Sequence, residues 1–316
     1  MSKQPQIEER LKGEIEPFET LAELPVDRRA IRRWCSAIGL DYRPYLNLQQ
    51  AEAPLAMLHF WTVWETTRHP MSVNQRLRSE MTASGYPAIV ATNYELEQFR
   101  PARIGDTLTT RIRLEDISEQ KQTPLGTGYF ATECHEFLRE DGELLGQLRI
   151  RCLFFKPGAP TIPRPGNTHT KPPASVPLTA SETAELSTLE IPVSATTVIS
   201  GALAFNDFEL VHHDRNVAKS QGLPDIIMNS ATSLGFVYRY IMETVPSERK
   251  LARIAMKLGT PCVPEDTLTF TGRHNADFTL DIRAMTGRGE HLKATAYFAE
   301  SAASNEKASP VSKAEA

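Results

Sequence analysis

The segment Phe205-Asn-Asp207-Phe-Glu209-Leu-Val-His212-His213-Asp214 puts a carboxylate and an imidazole five residues apart. That spacing does not stack two side chains on one helical face, so a loop must fold them together. Folded together, the pair can hold one water: the aspartate accepts a proton while the histidine orients the water or supplies another proton. Gly222-Leu-Pro then leads to Asn229-Ser230. A helix is predicted to begin there, because Leu234, Val237, Tyr238 and Ile241 recur at helical spacing. Asn229 or Ser230 suits its N-cap. Backbone N–H groups at such a helix start face developing negative charge. Asp214 reads as the cap of a second helix from Arg215. His212-His213-Asp214 is a poor metal cluster, because adjacent side chains of an extended loop diverge and no HExxH-type partner accompanies them. Thr286-Gly-Arg-Gly-Glu290 has phosphate-loop composition, but it lies between two strands and opens no helix, so it reads as a hairpin turn.

These residues need elements to position them, and the elements occur twice. Pro101-Ala-Arg-Ile-Gly-Asp106-Thr-Leu-Thr leads into an alternating strand, and Pro261-Cys-Val-Pro-Glu-Asp266-Thr-Leu-Thr leads into another. After each comes a strand, a polar turn (Asp141-Gly142, then 287–290) and a further strand. Helical stretches precede the strands in both copies. Pro25-Val-Asp27 starts a helix whose apolar face is Ile31, Trp34, Cys35 and Ile38, with Gly39 at its end. Arg28, Arg29, Arg32 and Arg33 fall on its solvated side. The run Pro54 to Thr66 is apolar, with Phe60, Trp61 and Trp64 crowded together. Each copy is therefore expected to be an α+β unit, a long helix lying against a curved antiparallel sheet. The repeat divides the chain into a loose start (1–16), a first unit (17–156), a proline-rich linker (157–187), a second unit (188–300) and a loose end (301–316).

Composition narrows the functional classes. The 316 residues carry 35 Lys+Arg against 39 Asp+Glu, a net charge of −4. No global positive field would draw nucleic acid or an anionic membrane. No apolar run is long enough to span a bilayer, and the start lacks the apolar region of a secretory signal. Four cysteines (35, 134, 152 and 262) without CxxC spacing suit a reducing cytoplasm, where each serves as a small core residue.

The residues 207–214, the following glycine–proline stretch and the helix together resemble the MaoC-like, R-specific enoyl-CoA hydratases of the hotdog fold. The family pattern D-x-N-P-x-H-x-D is matched by Asp207, His212 and Asp214, while Glu209-Leu210 replaces Asn-Pro. The family's His-Gly at the helix start is Asn229-Ser230 here. Residues 206–241 are similar to the small catalytic subunit of actinobacterial steroid side-chain hydratases. The first unit, with Ala53-Pro-Leu-Ala-Met-Leu-His-Phe-Trp61, is similar to a domain of the partner subunit.

The resemblance implies a double hotdog, two antiparallel curved sheets each wrapped around a long helix. It implies hydration of a bulky, steroidal 2-enoyl-CoA. The catalytic pair would be Asp207 and His212, with backbone donors near Asn229 and Ser230 for the thioester oxygen. No metal and no cofactor beyond the coenzyme A of the substrate is implied. In the first unit, Gly39-Leu-Asp41-Tyr-Arg-Pro44-Tyr-Leu46 keeps the aspartate but has leucine in place of the histidine. Leucine cannot carry a proton, so one site per chain is expected, with the first unit shaping the pocket. A hotdog thioesterase and a noncatalytic acyl-CoA-binding subunit are the alternatives. Monomer and homodimer both remain open.

Overall fold

The computed structural model of the protein describes residues 7–46, 51–63, 72–157, 185–245, 250–275 and 279–299. Most of the expected linker over 157–187, Trp64 and the end segment 301–316 lie outside the described residues.

Eleven strands form one sheet. The first unit supplies β1 (Phe18–Leu21), β2 (Ala88–Gln98), β3 (Leu108–Ile117), β4 (Lys121–Thr123), β5 (Gly126–Arg139) and β6 (Leu144–Pro157). The second supplies β7 (Leu189–Pro192), β8 (Leu251–Leu258), β9 (Thr267–His274), β10 (Leu280–Thr286) and β11 (Gly289–Phe298). The order β1-β3-β5-β6-β2-β8-β11-β10-β9-β7 reads equivalently from either end, with β4 paired only to β5. The two curved sheets thus meet edge to edge. β2 and β8 pair antiparallel, Asn93 to Glu97 against Lys257 to Arg253, and each covers the edge that the other would expose. This is the α+β class expected from the repeat and the double hotdog implied by the resemblance.

The repeat extends to individual hydrogen bonds. Asp106 Oδ2 accepts from the Arg103 N–H at 2.8 Å, and Asp266 Oδ2 accepts from the Val263 N–H at 2.9 Å. An arginine from the following hairpin pairs with each: Arg139 with Asp106 at 3.2 Å, Arg288 with Asp266 at 2.6 Å. Each arginine also donates to the carbonyl of the leading proline, Pro101 or Pro261. The residue before each aspartate has positive φ, Gly105 at 96° and Glu265 at 71°. Glycine adopts that conformation freely, whereas Glu265 bears a steric cost that the clamp must offset.

Asp266 is nearly buried, and its carboxyl is held below the ordinary range, chiefly by the Arg288 hydrogen bond. A depressed folded-state pKa stabilises the fold above the unfolded carboxyl's pKa, and the stabilisation is lost as pH falls through the folded value. Asp266→Asn is therefore expected to lower stability near neutral pH by about 1 kcal/mol, the part-exposed Arg288 being screened by solvent. In acid below the carboxylate range, the difference from wild type should vanish. Thermal unfolding across that range measures it; a constant difference would rule out the charged clamp as its source.

The helices are α1 (Ile7–Glu14), α2 (Arg28–Ile38), α3 (Arg43–Leu46), α4 (Val73–Ala83), α5 (Ala195–Ala204), α6 (Arg215–Ser220) and α7 (Ser230–Thr244). α2 starts and stops as its sequence predicts. Asp27 accepts from the N–H groups of Arg29 and Ala30, and Gly39 ends the helix at φ 70°. Its apolar face is buried and its four arginines are exposed.

Two expectations need correction. Residues 1–16 are not loose throughout, because Ile7–Glu14 is helical. Leu11 and Ile15, one turn apart, are buried against Val73, Leu77 and Met81 of α4. The polar composition hid this stripe, which is enough to dock two turns. The second correction is the long helix of the first unit. The Ala53 N–H donates to Ala102 O at 2.8 Å, as Met228 N–H does to Cys262 O at 2.8 Å, so Pro54 occupies the place of Asn229. Where α7 runs for fifteen residues, the described residues of the first unit form two short 3₁₀ turns, Leu55–Met57 and Phe60–Thr62, before the separate α4. Pro54 has no side chain able to accept from a first-turn N–H, and none caps the turn here.

Candidate active site

α5 ends at Ala204, and the chain then turns through Asn206 at φ 58°. Asparagine is among the few residues that tolerate this left-handed conformation. The turn lets the Asp207 N–H bond to Ala202 O at 2.9 Å. A single 3₁₀ turn, Leu210–His212, then brings the histidine back. His212 Nε2 comes within 3.5 Å of Asp207 Oδ2. The loop that the spacing required is this turn.

Both side chains are fixed from behind. His212 Nδ1 lies 2.7 Å from Ile227 O, and a carbonyl can only accept, so Nδ1 carries the proton. In the neutral ring, the Nε2 lone pair therefore faces Asp207. The Asp207 carboxylate accepts from the Glu209 N–H on Oδ1 at 3.1 Å and from Asn229 Nδ2 on Oδ2 at 2.8 Å. A carboxylate oxygen and an imidazole lone pair repel each other unless a proton or a water lies between them. The gap suits a small donor that hydrogen-bonds to both. His212 is buried, while the Asp207 side chain keeps about a quarter of its surface.

Asn229 is the link to α7. Its Oδ1 accepts from the Thr232 N–H at 2.8 Å as the N-cap, which leaves Nδ2 free to donate to Asp207. The cap therefore sets the amide's orientation. Ser230 opens the first turn beside it, where N–H groups have no carbonyl within the helix. The sequence pattern marks Asn229 and Ser230 only as a helix start with donors. It does not reveal the Asn229–Asp207 bond.

Further residues converge from places no motif indicates. Ser233 Oγ contacts Asn229 O at 3.0 Å and His291 Nε2 at 2.9 Å, and His291 Nδ1 lies 2.8 Å from Thr260 O. A buried polar chain thus runs from the β11 start to the cap of α7. Burial lowers the His291 pKa, which keeps its ring neutral. From the first unit, Arg78 of α4 donates to Glu209 at 2.6 Å and ties the loop across the two halves. His213 turns to Phe208 O at 3.0 Å, away from His212, and Asp214 caps α6 through the N–H groups of Asn216 and Val217.

The first unit repeats the position without the chemistry. Asp41, like Asp207, lies three residues beyond the end of its helix. Its carboxylate is occupied by Arg43, at 2.7 Å from Nη2 and 2.9 Å from Nε, and these bonds lower its pKa. Leu46, partly buried, packs on the apolar core.

Comparison with known proteins shows what the chain is similar to. Residues 16–147 match the FAS1-like dehydratase domain region. The chain is 36% identical over 104 residues to the 3-oxo-4,17-pregnadiene-20-carboxyl-CoA hydratase beta subunit of Mycobacterium tuberculosis, covering 32% of this chain and 81% of that protein. It is 31% identical over 146 residues to a probable enoyl-CoA hydratase alpha subunit of Thermomonospora curvata, covering 42% of this chain but only 46% of that protein. A solved MaoC-like dehydratase superposes with a TM-score of 0.65 at 16% identity, covering 90% of this chain and 98% of that one, which is a likeness of fold. With its paired hotdog units and its single Asp–His loop ahead of the capped helix, the chain belongs to the MaoC-like enoyl-CoA hydratase family.

Proposed function

We propose that this enoyl-CoA hydratase acts on a bulky, steroid-like 2-enoyl-CoA, with Asp207 and His212 as its acid–base pair. One observation carries the reading: Asp207 Oδ2 and His212 Nε2 face each other at 3.5 Å, each held from behind by a separate hydrogen bond. A water in that gap gives a proton to Asp207 as its oxygen attacks the β-carbon. His212 orients the water by accepting its second hydrogen on Nε2, and the proton taken by Asp207 is then delivered to the α-carbon, so both side chains end as they began. The C=C bond gains H and OH, and no other group leaves. Negative charge gathers on the thioester oxygen, which the first-turn N–H groups of α7 near Ser230 stabilise. Coenzyme A enters as part of the substrate.

The bulk of the acyl group is argued from the first unit. The described residues of the first unit have two 3₁₀ turns after the uncapped Pro54 where the second unit has the start of the continuous α7, and this break in the helix supports room for a bulky acyl group. The related beta subunit is named for a pregnadiene-carboxyl-CoA, and so is a related alpha subunit, 31% identical over 156 residues. We infer that the present chain unites in one polypeptide two units that those relatives carry as separate subunits. No described helix is long and apolar enough to cross a membrane, which suits a substrate delivered as its water-soluble CoA thioester.

Hydration assays with crotonyl-, octenoyl- and steroid-enoyl-CoA test the reading. Loss of enoyl absorbance with the thioester intact, fastest on the steroid substrate, is expected. Release of free thiol would indicate a thioesterase instead, and turnover confined to crotonyl-CoA would overturn the bulky substrate.

A further inference from the structure

We propose that His59, Tyr94, Glu133 and His135 form a buried polar seam that binds a neutral oxygen, a ketone or hydroxyl, on the part of the acyl group remote from the thioester. The proposal rests on the reading of the protein as an acyl-CoA hydratase.

The seam is an anomaly of the first unit's core. The core-facing residues of β5 read Tyr129, Ala131, Glu133, His135 and Phe137. Two ionisable side chains thus sit mid-stripe, Glu133 at 5% and His135 at 6% exposure. Among the described residues, neither ring nitrogen of His135 has a hydrogen-bond partner. Its Nε2 is 3.5 Å from Glu133 Oε2, close enough for attraction but not in hydrogen-bonding geometry. Burying such a group without a partner costs on the order of 1–3 kcal/mol. An apolar residue of similar size would avoid that cost, so an unpartnered imidazole here needs an explanation. Glu133, by contrast, is anchored by Asn74 at 2.8 Å.

The seam lies at the two 3₁₀ turns that stand, among the described residues, where the second unit has the start of α7. His59 sits between the two 3₁₀ turns, its Nδ1 2.9 Å from the Tyr94 hydroxyl and its ring edge-on to His135 at 5.2 Å. His59 is enclosed deeply enough that burial drives its pKa well below the ordinary value, yet it retains accessible surface. The same ring packs edge-on to Phe205 at 5.6 Å, and Phe205 is two residues ahead of Asp207. The Asp207 charge reaches Tyr94 and adds to the upward pKa shift that burial causes. The seam and the Asp–His pair therefore border one region of the molecule.

The chemistry of the groups selects the ligand. A neutral imidazole and a phenol each offer one donor and one acceptor. Beside them, the Glu133 carboxyl disfavours an anionic end on the ligand. A neutral oxygen satisfies His135 at no cost in charge, whereas a plain methylene leaves it unpartnered.

Two matched pairs of CoA thioesters test this. The first pair is enoyl-CoAs of one ring skeleton, with and without a distal oxygen; the second is their saturated, unreactive counterparts, measured by calorimetric binding. Wild type is expected to favour the oxygenated member of each pair by about tenfold or more. His135→Phe should bring the preference within about twofold in both assays. Glu133→Gln, which is close in shape, covers the case in which His135→Phe fails to fold, and it should shrink the preference in the same direction. An undiminished preference in a folded variant, or no preference in wild type, overturns the seam as a binding site. Discrimination in binding without turnover of any enoyl-CoA would instead overturn the hydratase reading and leave the seam standing.

Discussion

Asp207→Asn is expected to slow hydration of a 2-enoyl-CoA by roughly 10²–10⁴-fold. The amide retains the size of the carboxylate, and its oxygen can still accept from Asn229, so the loop and the cap of α7 keep their geometry. What is lost is the base. An amide does not take up a proton from water at neutral pH, and its NH₂ cannot accept from the Glu209 N–H. The loss should appear in kcat rather than in KM, because the proton moves only as the C–O bond forms. Steady-state loss of enoyl absorbance measures it, and a variant with wild-type kcat would remove Asp207 from the chemistry.

His212→Ala is expected to cost a similar factor, and the double variant little more than either single one. In the proposed mechanism both residues act on one water across one 3.5 Å gap, and groups that act as a unit lose their effect together. Multiplying losses would mean that the two residues serve separate steps. The alanine also strands Ile227 O, which His212 satisfies at 2.7 Å. Unfolding should therefore be followed alongside the rate, with a loss on the order of 1–3 kcal/mol from the unpaired carbonyl. A stability loss without a rate loss would make His212 a structural residue.

These two predictions differ from one that Asn229 would support. Asn229 acts through Asp207 and through the first turn of α7, so it is a positioning residue whose two roles cannot be removed separately. The same holds further back along the chain through Ser233 and His291.

Much was legible in the residues themselves. Local rules suffice for α2, whose cap, apolar stripe and terminal glycine are all contiguous. They suffice for the hairpins at 141–142 and 287–288, and for Asp214 as a cap. The duplicated Pro-x₄-Asp-Thr-Leu-Thr stretch predicted the two equivalent units, because it encodes a local turn that each unit needs to start a strand. The resemblance of residues 207–214 to a family pattern drew attention to Asp207 and His212, which a bare five-residue spacing would not have done.

Other features depend on contacts that no local pattern encodes. Helix α1 was overlooked because only Leu11 and Ile15 are committed to the core, too few to dominate a polar stretch. The run from Pro54 looked continuous and apolar. Whether such a run forms one helix or two turns depends on its cap and on the sheet beneath it, and Pro54 in place of Asn229 supplies no cap.

The two-unit plan, the strand and turn chemistry, and the loop that carries Asp207 and His212 are written in the order of residues. How the units join, through β2 and β8, appears only in the folded chain. The tertiary structure alone turned Asn229 toward Asp207, wired His291 to the cap, and gathered His59, Tyr94, Glu133 and His135 from separate elements. The physical reason is range. Capping and periodicity act within a few residues and leave a trace in the order of amino acids. A hydrogen bond between residues 22 apart, or a ring contact between residues 76 apart, exists only after the chain has closed the intervening loops.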